Sequence, residues 1–169
     1  MRRTRSTTHS ATRQPRPARR VRDRSPGRAG GKLREIAGCP DCGASYREGR
    51  WTWRRAPNDA YQRVCPACER IASRYPAGVL RAEGAFAASH QDELIALMRG
   101  VEERERAEHP LKRLMNIERT KNGFAAETTD GKLAQTLGRA LHKAYAGRLV
   151  QPRTTAEKAN LVRVRWIRD

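Results

Sequence analysis

The sequence is short of negative charge. Its 169 residues carry 18 Asp and Glu against 36 Lys and Arg, a formal net charge of +18. That balance favours polyanions as partners, nucleic acid first and an anionic membrane second. Long apolar runs are also missing. None approaches the roughly 20 residues that span a bilayer, so no membrane-embedded segment is expected. No apolar core follows the N-terminal arginines, so they do not read as a secretory signal. Pro15, Pro17, Pro26 and the Gly30-Gly31 pair break the amphipathic helix an organellar transit peptide would need, which leaves the cytoplasm as the expected location. A Gly-rich phosphate loop is absent. His90 and Glu93 have a spacing that can hold a metal on a helix, but no second pair of that kind joins them. His109 stands next to Pro110, where it can cap helix carbonyls, and His142 lies on the polar side of a helix near Arg139 and Lys143. Nothing assembles a catalytic site, and no enzyme is expected.

The positive charge that is present is uneven. Residues 1–38 hold 12 Lys and Arg against 2 Asp and Glu. Residues 1–37 lack apolar periodicity and are rich in Arg, Ser, Thr, Pro and Gly, so they read as a disordered basic tail. Arginine suits bidentate phosphate contacts. The plainer reading of the tail is a solvated extension that keeps the chain soluble.

Cysteine is scarce and concentrated. The four cysteines form Cys39-x-x-Cys42 and Cys65-x-x-Cys68, separated by 22 residues. Each pair can aim two thiolates at one point, and a hairpin between them would close a tetrahedron around zinc. Pro40 and Pro66 pre-set φ for tight turns, and Gly43 permits the close approach that N–H to sulfur contacts need. With no secretion signal, disulfides are the weaker alternative. Four thiolates leave no open coordination position, which points to structural Zn2+. The expected zinc ribbon covers residues 38–72. Arg47, Arg50, Arg54, Arg55, Arg63 and Arg70 would offset the negative charge of the zinc centre and keep its surface positive. Tyr46, Trp51, Trp53 and Tyr61 lie between the pairs. They could stack unpaired bases, but a small ribbon more readily spends Trp51 and Trp53 on covering its zinc turns and docking.

Residues 73–110 read as a strand and helical linker. Val79–Phe86 suggests a short strand. Ser89 is a candidate helix cap with Asp92 as its box partner. Leu94, Ile95, Leu97, Met98 and Val101 give the following helix an apolar face, its end EERERAEH is polar, and Pro110 stops it. Residues 111–169 predict a ββαββ domain: a hairpin with Asn122-Gly123 at its turn, a helix capped by Thr129 or Asp130 with Leu133, Leu137, Leu141 and Tyr145 in one stripe and Gly147 at its end, then strands at Leu149–Pro152 and Leu161–Ile167. The fold class is therefore α+β, with the helix on one sheet face. Alternation in the last strand turns Val162, Val164 and Trp166 to the core and Arg163 and Arg165 outward, as a candidate phosphate surface or an ordinary wet face.

Four stretches in order, CPDCGASYREGRWTW, CPACERIASRYPAG, EHPLKRLM and TTDGKLAQTLGRALHKAYAGRL, resemble a family of small uncharacterised bacterial zinc-ribbon proteins over about Gly38 to Arg168. More distantly, the paired cysteines and the Ala144–Leu149 turn are similar to the nonsense-mediated-decay-three family, the large-ribosomal-subunit export adaptor of archaea and eukaryotes. That resemblance implies zinc ligation by Cys39, Cys42, Cys65 and Cys68 and a partner in ribosomal RNA or a ribosomal subunit. The expectation is a zinc-ribbon nucleic-acid-binding protein, RNA-binding and ribosome-associated. The alternative is a protein-interaction adaptor whose partner meets the ribbon and EERERAEH.

Overall fold

The structure, a computed structural model, describes residues 36–151 and 161–169. The basic tail expected over residues 1–37 lies outside the described residues except for its last two, as does Pro152.

Short strands and a knuckle open the described chain. β1 (Ala37–Gly38), β2 (Ser45–Arg47), β3 (Arg50–Thr52) and β4 (Tyr61–Gln62) form a sheet in the order β3-β2-β1-β4. Glu48 and Gly49 both have positive φ (49° and 85°) in the two-residue link between β2 and β3. That geometry matches the twist of flanking strands, and Gly49 suits it. α1 (Pro66–Ser73) follows, with Cys65 as its N-cap and Pro66 in the first turn, where a missing N–H costs nothing.

The second sheet has five strands, β5 (Gly78–Glu83), β6 (Leu114–Thr120), β7 (Gly123–Thr128), β8 (Arg148–Val150) and β9 (Val162–Ile167), in the order β6-β7-β5-β9-β8. α2 (Ala85–Ser89), α3 (Gln91–Glu108) and α4 (Gly131–Tyr145) complete the architecture. The class is α+β. Sequence order suggested four strands from residues 111–169 alone. In the fold, β5 runs between β7 and β9, antiparallel to the first and parallel to the second. The linker strand is thus the centre of the sheet, because β7 and β9 do not pair with each other and need it as their shared neighbour.

Alternation along β5, β7 and β9 turns Leu80, Ala82, Phe124, Ala126, Val164 and Trp166 into one core with Leu94, Met98, Leu133, Leu137 and Leu141. Helix α4 supplies the leucine stripe. Asp130 Oδ1 caps it by accepting from Leu133 N at 3.0 Å, and the chain leaves through Ala146 (φ 57°) and Gly147 (φ 80°). The helix start at Ser89 is a correction. Ser89 ends α2 and its hydroxyl donates to the Ala85 carbonyl at 3.0 Å, while His90 occupies the N-cap of α3 with no side-chain cap bond. The hairpin signal also shifts by a residue. Lys121 and Asn122 make the turn and Gly123 opens β7, where a Cβ would stand 2.0 Å from the Ala82 carbonyl oxygen. No helix among the described residues is long and apolar enough to cross a membrane.

Candidate metal centre

The 25 residues between Cys39 and Cys65 return the chain to its starting point. β1 carries the first pair and the parallel partner β4 leads into the second. All four Sγ atoms lie within 4.8 Å of one another. Cys39 and Cys68 are 3.9 Å apart and Cys42 and Cys65 3.8 Å. A tetrahedral ion with metal–sulfur bonds of about 2.3 Å has edges of ~3.8 Å. The donor set and its spacing therefore fit one metal ion. The cysteines are not disulfide-bonded.

The two pairs reach this point by different means. Cys39 and Cys42 form a knuckle: Gly43 N donates to Cys39 O at 2.9 Å, Cys39 N to Ala44 O at 2.8 Å, and Gly43 takes φ 76°. Cys65 and Cys68 sit on the first turn of α1, not on a second knuckle. Cys68 N donates to Cys65 Sγ at 3.5 Å and Cys65 N to Cys39 Sγ at 3.3 Å. Helix N-termini favour negative charge, so this turn stabilises thiolates. Pro66 reads in the sequence as a turn residue. It is equally the residue of a helix start, and only the structure separates the two.

The sulfur environment is divided. Burial pushes the Cys65 thiol up, and burial with neighbouring sulfurs does the same to Cys68. Burial acts upward on Cys42 too, but hydrogen bonding from Arg113 and the Ala44 backbone, with the Arg113 charge, outweighs it and lowers that thiol to about 7. Arg113 was not singled out in the sequence. It is only 6% exposed, donates through Nε to Pro110 O at 2.7 Å and reaches Cys68 Sγ through Nη1 at 3.5 Å. Its signal is faint: one more arginine in an arginine-rich chain, 45 residues from the cysteine it touches.

Trp51 packs against the cysteine cluster with Val64 and Leu111, edge-on to Tyr46. Trp53 docks on the end of α3. Its Nε1 donates to Arg106 O at 2.6 Å, and the Arg106 and Arg113 guanidiniums stand 5.8 and 5.6 Å from its ring centre. The polar end of α3 thus meets the cysteine module of its own chain. Tyr61 and Tyr75 remain as exposed aromatics of the module, 44% and 58% accessible.

The arginines expected to hold polyanions fall into two groups. Arg50, Arg54, Arg55 and Arg63 are exposed and Arg47 half-buried, and none is in an ion pair among the described residues. Arg47 and Arg50 stand directly opposite across β2 and β3, and Arg47 Nη2 donates to Arg55 O at 2.7 Å. This hairpin gathers like charges. Residues 36–76 also contain Asp41, Glu48, Asp59 and Glu69, however, so the module as a whole is less positive than its arginines suggest. Arg163 and Arg165 are on the open sheet face, away from the helices, as alternation predicts. That face is mixed. Arg165 pairs with Glu83 at 2.6 Å, Glu127 lies across β5 from Arg163, and Arg81 joins the row. A further cationic groove of about 320 Å³ opens between α3 and α4, lined by Arg104, Arg139, Lys143 and Thr136; its one acid, Glu105, is already paired with Lys112.

His90 and Glu93 do not converge. His90 Nδ1 is taken up by Ser89 Oγ and Phe86 O, and Glu93 accepts from the Tyr145 hydroxyl at 2.7 Å. His142 Nδ1 lies 2.9 Å from Gly147 O, at the end of α4. No family model, no curated protein and no solved structure matches this chain.

Proposed function

We propose that the chain is a zinc-stabilised RNA-binding protein, associated with the ribosome, in which Cys39, Cys42, Cys65 and Cys68 hold one structural Zn2+. Four thiolates are a soft, closed donor set that selects zinc over hard cations and leaves no position for substrate. The metal's contribution is folding energy, and the reading is of a binding protein, not an enzyme. The resemblance of the paired cysteines and the Ala144–Leu149 turn to the ribosomal-subunit export adaptor family is what favours the ribosomal partner.

The observation that carries the RNA reading is the hairpin. Arg47 directly faces Arg50 in register, and Arg55 is tied to Arg47. Like charges directly opposite on a sheet are destabilising. A bound phosphate between them removes that cost. Arg54 and Arg63 extend the positive surface, and Tyr61 offers a face on which an unpaired base can stack. The open sheet face is the weaker surface because Glu83 competes for Arg165.

The test is binding of the full chain to ribosomal RNA as salt is varied. Single-stranded contacts give a slope of log K on log salt of about −0.7 per phosphate. Arg50→Glu, Arg54→Glu and Arg55→Glu together should weaken binding at every salt concentration and flatten the slope by about 2. Unchanged slope and affinity would remove the hairpin as the interface. A partner complex that survives nuclease and high salt would instead support the adaptor.

A further inference from the structure

Arg113 has no carboxylate to answer its charge among the described residues. Its backbone is fixed by Thr129: Arg113 N donates to Thr129 Oγ1 at 2.9 Å, and Arg113 O accepts from Thr129 N at 3.0 Å. The side chain then leaves the five-stranded sheet and enters the cysteine cluster. Nη2 is buried without a hydrogen-bond partner, and among the described residues the ionisable acidic groups it approaches are the cysteine sulfurs. Burying an unpaired guanidinium costs several kcal/mol. Something in the native state must offset that, and four thiolates around one divalent ion carry two negative charges.

We propose that Arg113 is the counter-ion of the metal–thiolate centre and couples metal loading to the seating of the cysteine module on α3. The claim rests on the metal reading above. One guanidinium does both jobs. It donates to Cys68 Sγ, and it stands 5.6 Å from the centre of the Trp53 ring, beside which Arg106 lies at 5.8 Å. With the centre loaded, the charge on sulfur holds Arg113 in place and Arg113 holds the ring. With the metal removed, the attraction weakens, Arg113 turns toward water, and Trp53 loses one wall. By linkage, whatever weakens the seat of Arg113 also weakens metal binding. Groups hydrogen-bonded to metal ligands typically change metal affinity 10–100-fold when removed.

The experiment uses Co2+ as the metal probe in the full chain, read by its sulfur-to-cobalt charge-transfer absorption, with Zn2+ affinity measured by chelator competition. Arg113→Met keeps an unbranched apolar stem and removes charge and donors. Its charge-transfer band should move to lower energy, because the sulfur electrons lose a stabilising positive charge, and Zn2+ affinity should fall 10–100-fold. Arg113→Lys restores the charge and should recover most of both; Arg113→Gln, which removes the charge, serves if the methionine variant does not fold. In wild-type protein, hydrogen exchange at residues 105–113 should rise when metal is removed. Band and affinity unchanged within twofold in the charge-removing variant would overturn the counter-ion. Exchange at 105–113 indifferent to metal would overturn the coupling. A wild-type chain that gives no cobalt–thiolate spectrum would sink the metal reading itself, a distinct failure.

Discussion

Metal removal should dissect this chain. The cysteine module buries few apolar side chains of its own: Ala37, Ala44 and Ala67 fully, with Trp51, Val64 and Leu111 in part. At about 0.8 kcal/mol per buried methyl-sized group and 1–2 for each partly buried larger side chain, these contribute about 5–8 kcal/mol. A four-thiolate zinc site contributes about 10–16 kcal/mol of apparent binding energy. The metal term is the larger, by up to a factor of about three, so the module should not survive its loss. The five-stranded sheet has a separate core built on Leu80, Phe124, Leu137, Val164 and Trp166, with no sulfur ligand in it. Hydrogen exchange with and without chelator, with metal content checked by elemental analysis, reads both regions together. The amides of Cys39, Gly43, Arg63 and Glu69 should lose protection, while those in β5 and β9 keep theirs. Continued protection of the first set in metal-free protein would refute the metal as the source of the module's stability. Simultaneous loss in β5 and β9 would refute the separation of the two cores.

Protons should compete with the metal. Cys65 and Cys68 have raised thiol pKa values and are protonated at neutral pH without metal, so binding must displace at least two protons. Affinity should rise with pH, by at least 100-fold per unit below neutrality and more steeply where Cys42, at about 7, is protonated too, and chelator competition at pH 6 and 7 measures it; a pH-independent constant would contradict the buried-thiol environment. Breaking the ion pair by Glu83→Gln should free Arg165 and raise the affinity for RNA if the open sheet face contributes; unchanged filter binding, together with no loss from Arg163→Glu and Arg165→Glu, would assign that face no role. Asp130→Ala removes the cap bond to Leu133 N and should cost about 1 kcal/mol by denaturant unfolding, whereas Gly123→Ala drives a Cβ into the Ala82 carbonyl at a positive φ and should cost about 3 kcal/mol or more.

The two parts of the site differ in how far they could be read from residues alone. The cysteine spacing points to a metal site without any structure, because two Cys-x-x-Cys pairs in one short stretch can aim four sulfurs at one point. The arginines cannot be ranked that way. In sequence, Arg165 and Arg50 look alike. In space, Arg165 has Glu83 beside it on β5, 82 residues earlier, while Arg50 faces another arginine. The helix beginning at Ser89 fails for a similar reason: its cap motif is present, but the short α2 uses Ser89 to close its own last turn.

Local chemistry settled what is local: the ligand set, the Asp130 cap, the leucine stripe of α4, the alternation of β9. Period and spacing act over a few residues, so they are legible without partners. Only the tertiary structure brought β5 to the centre of the sheet, set the second cysteine pair on a helix start, and placed Arg113 against Cys68. Those arrangements depend on which distant surfaces find each other, and no short pattern encodes a neighbour that lies dozens of residues away.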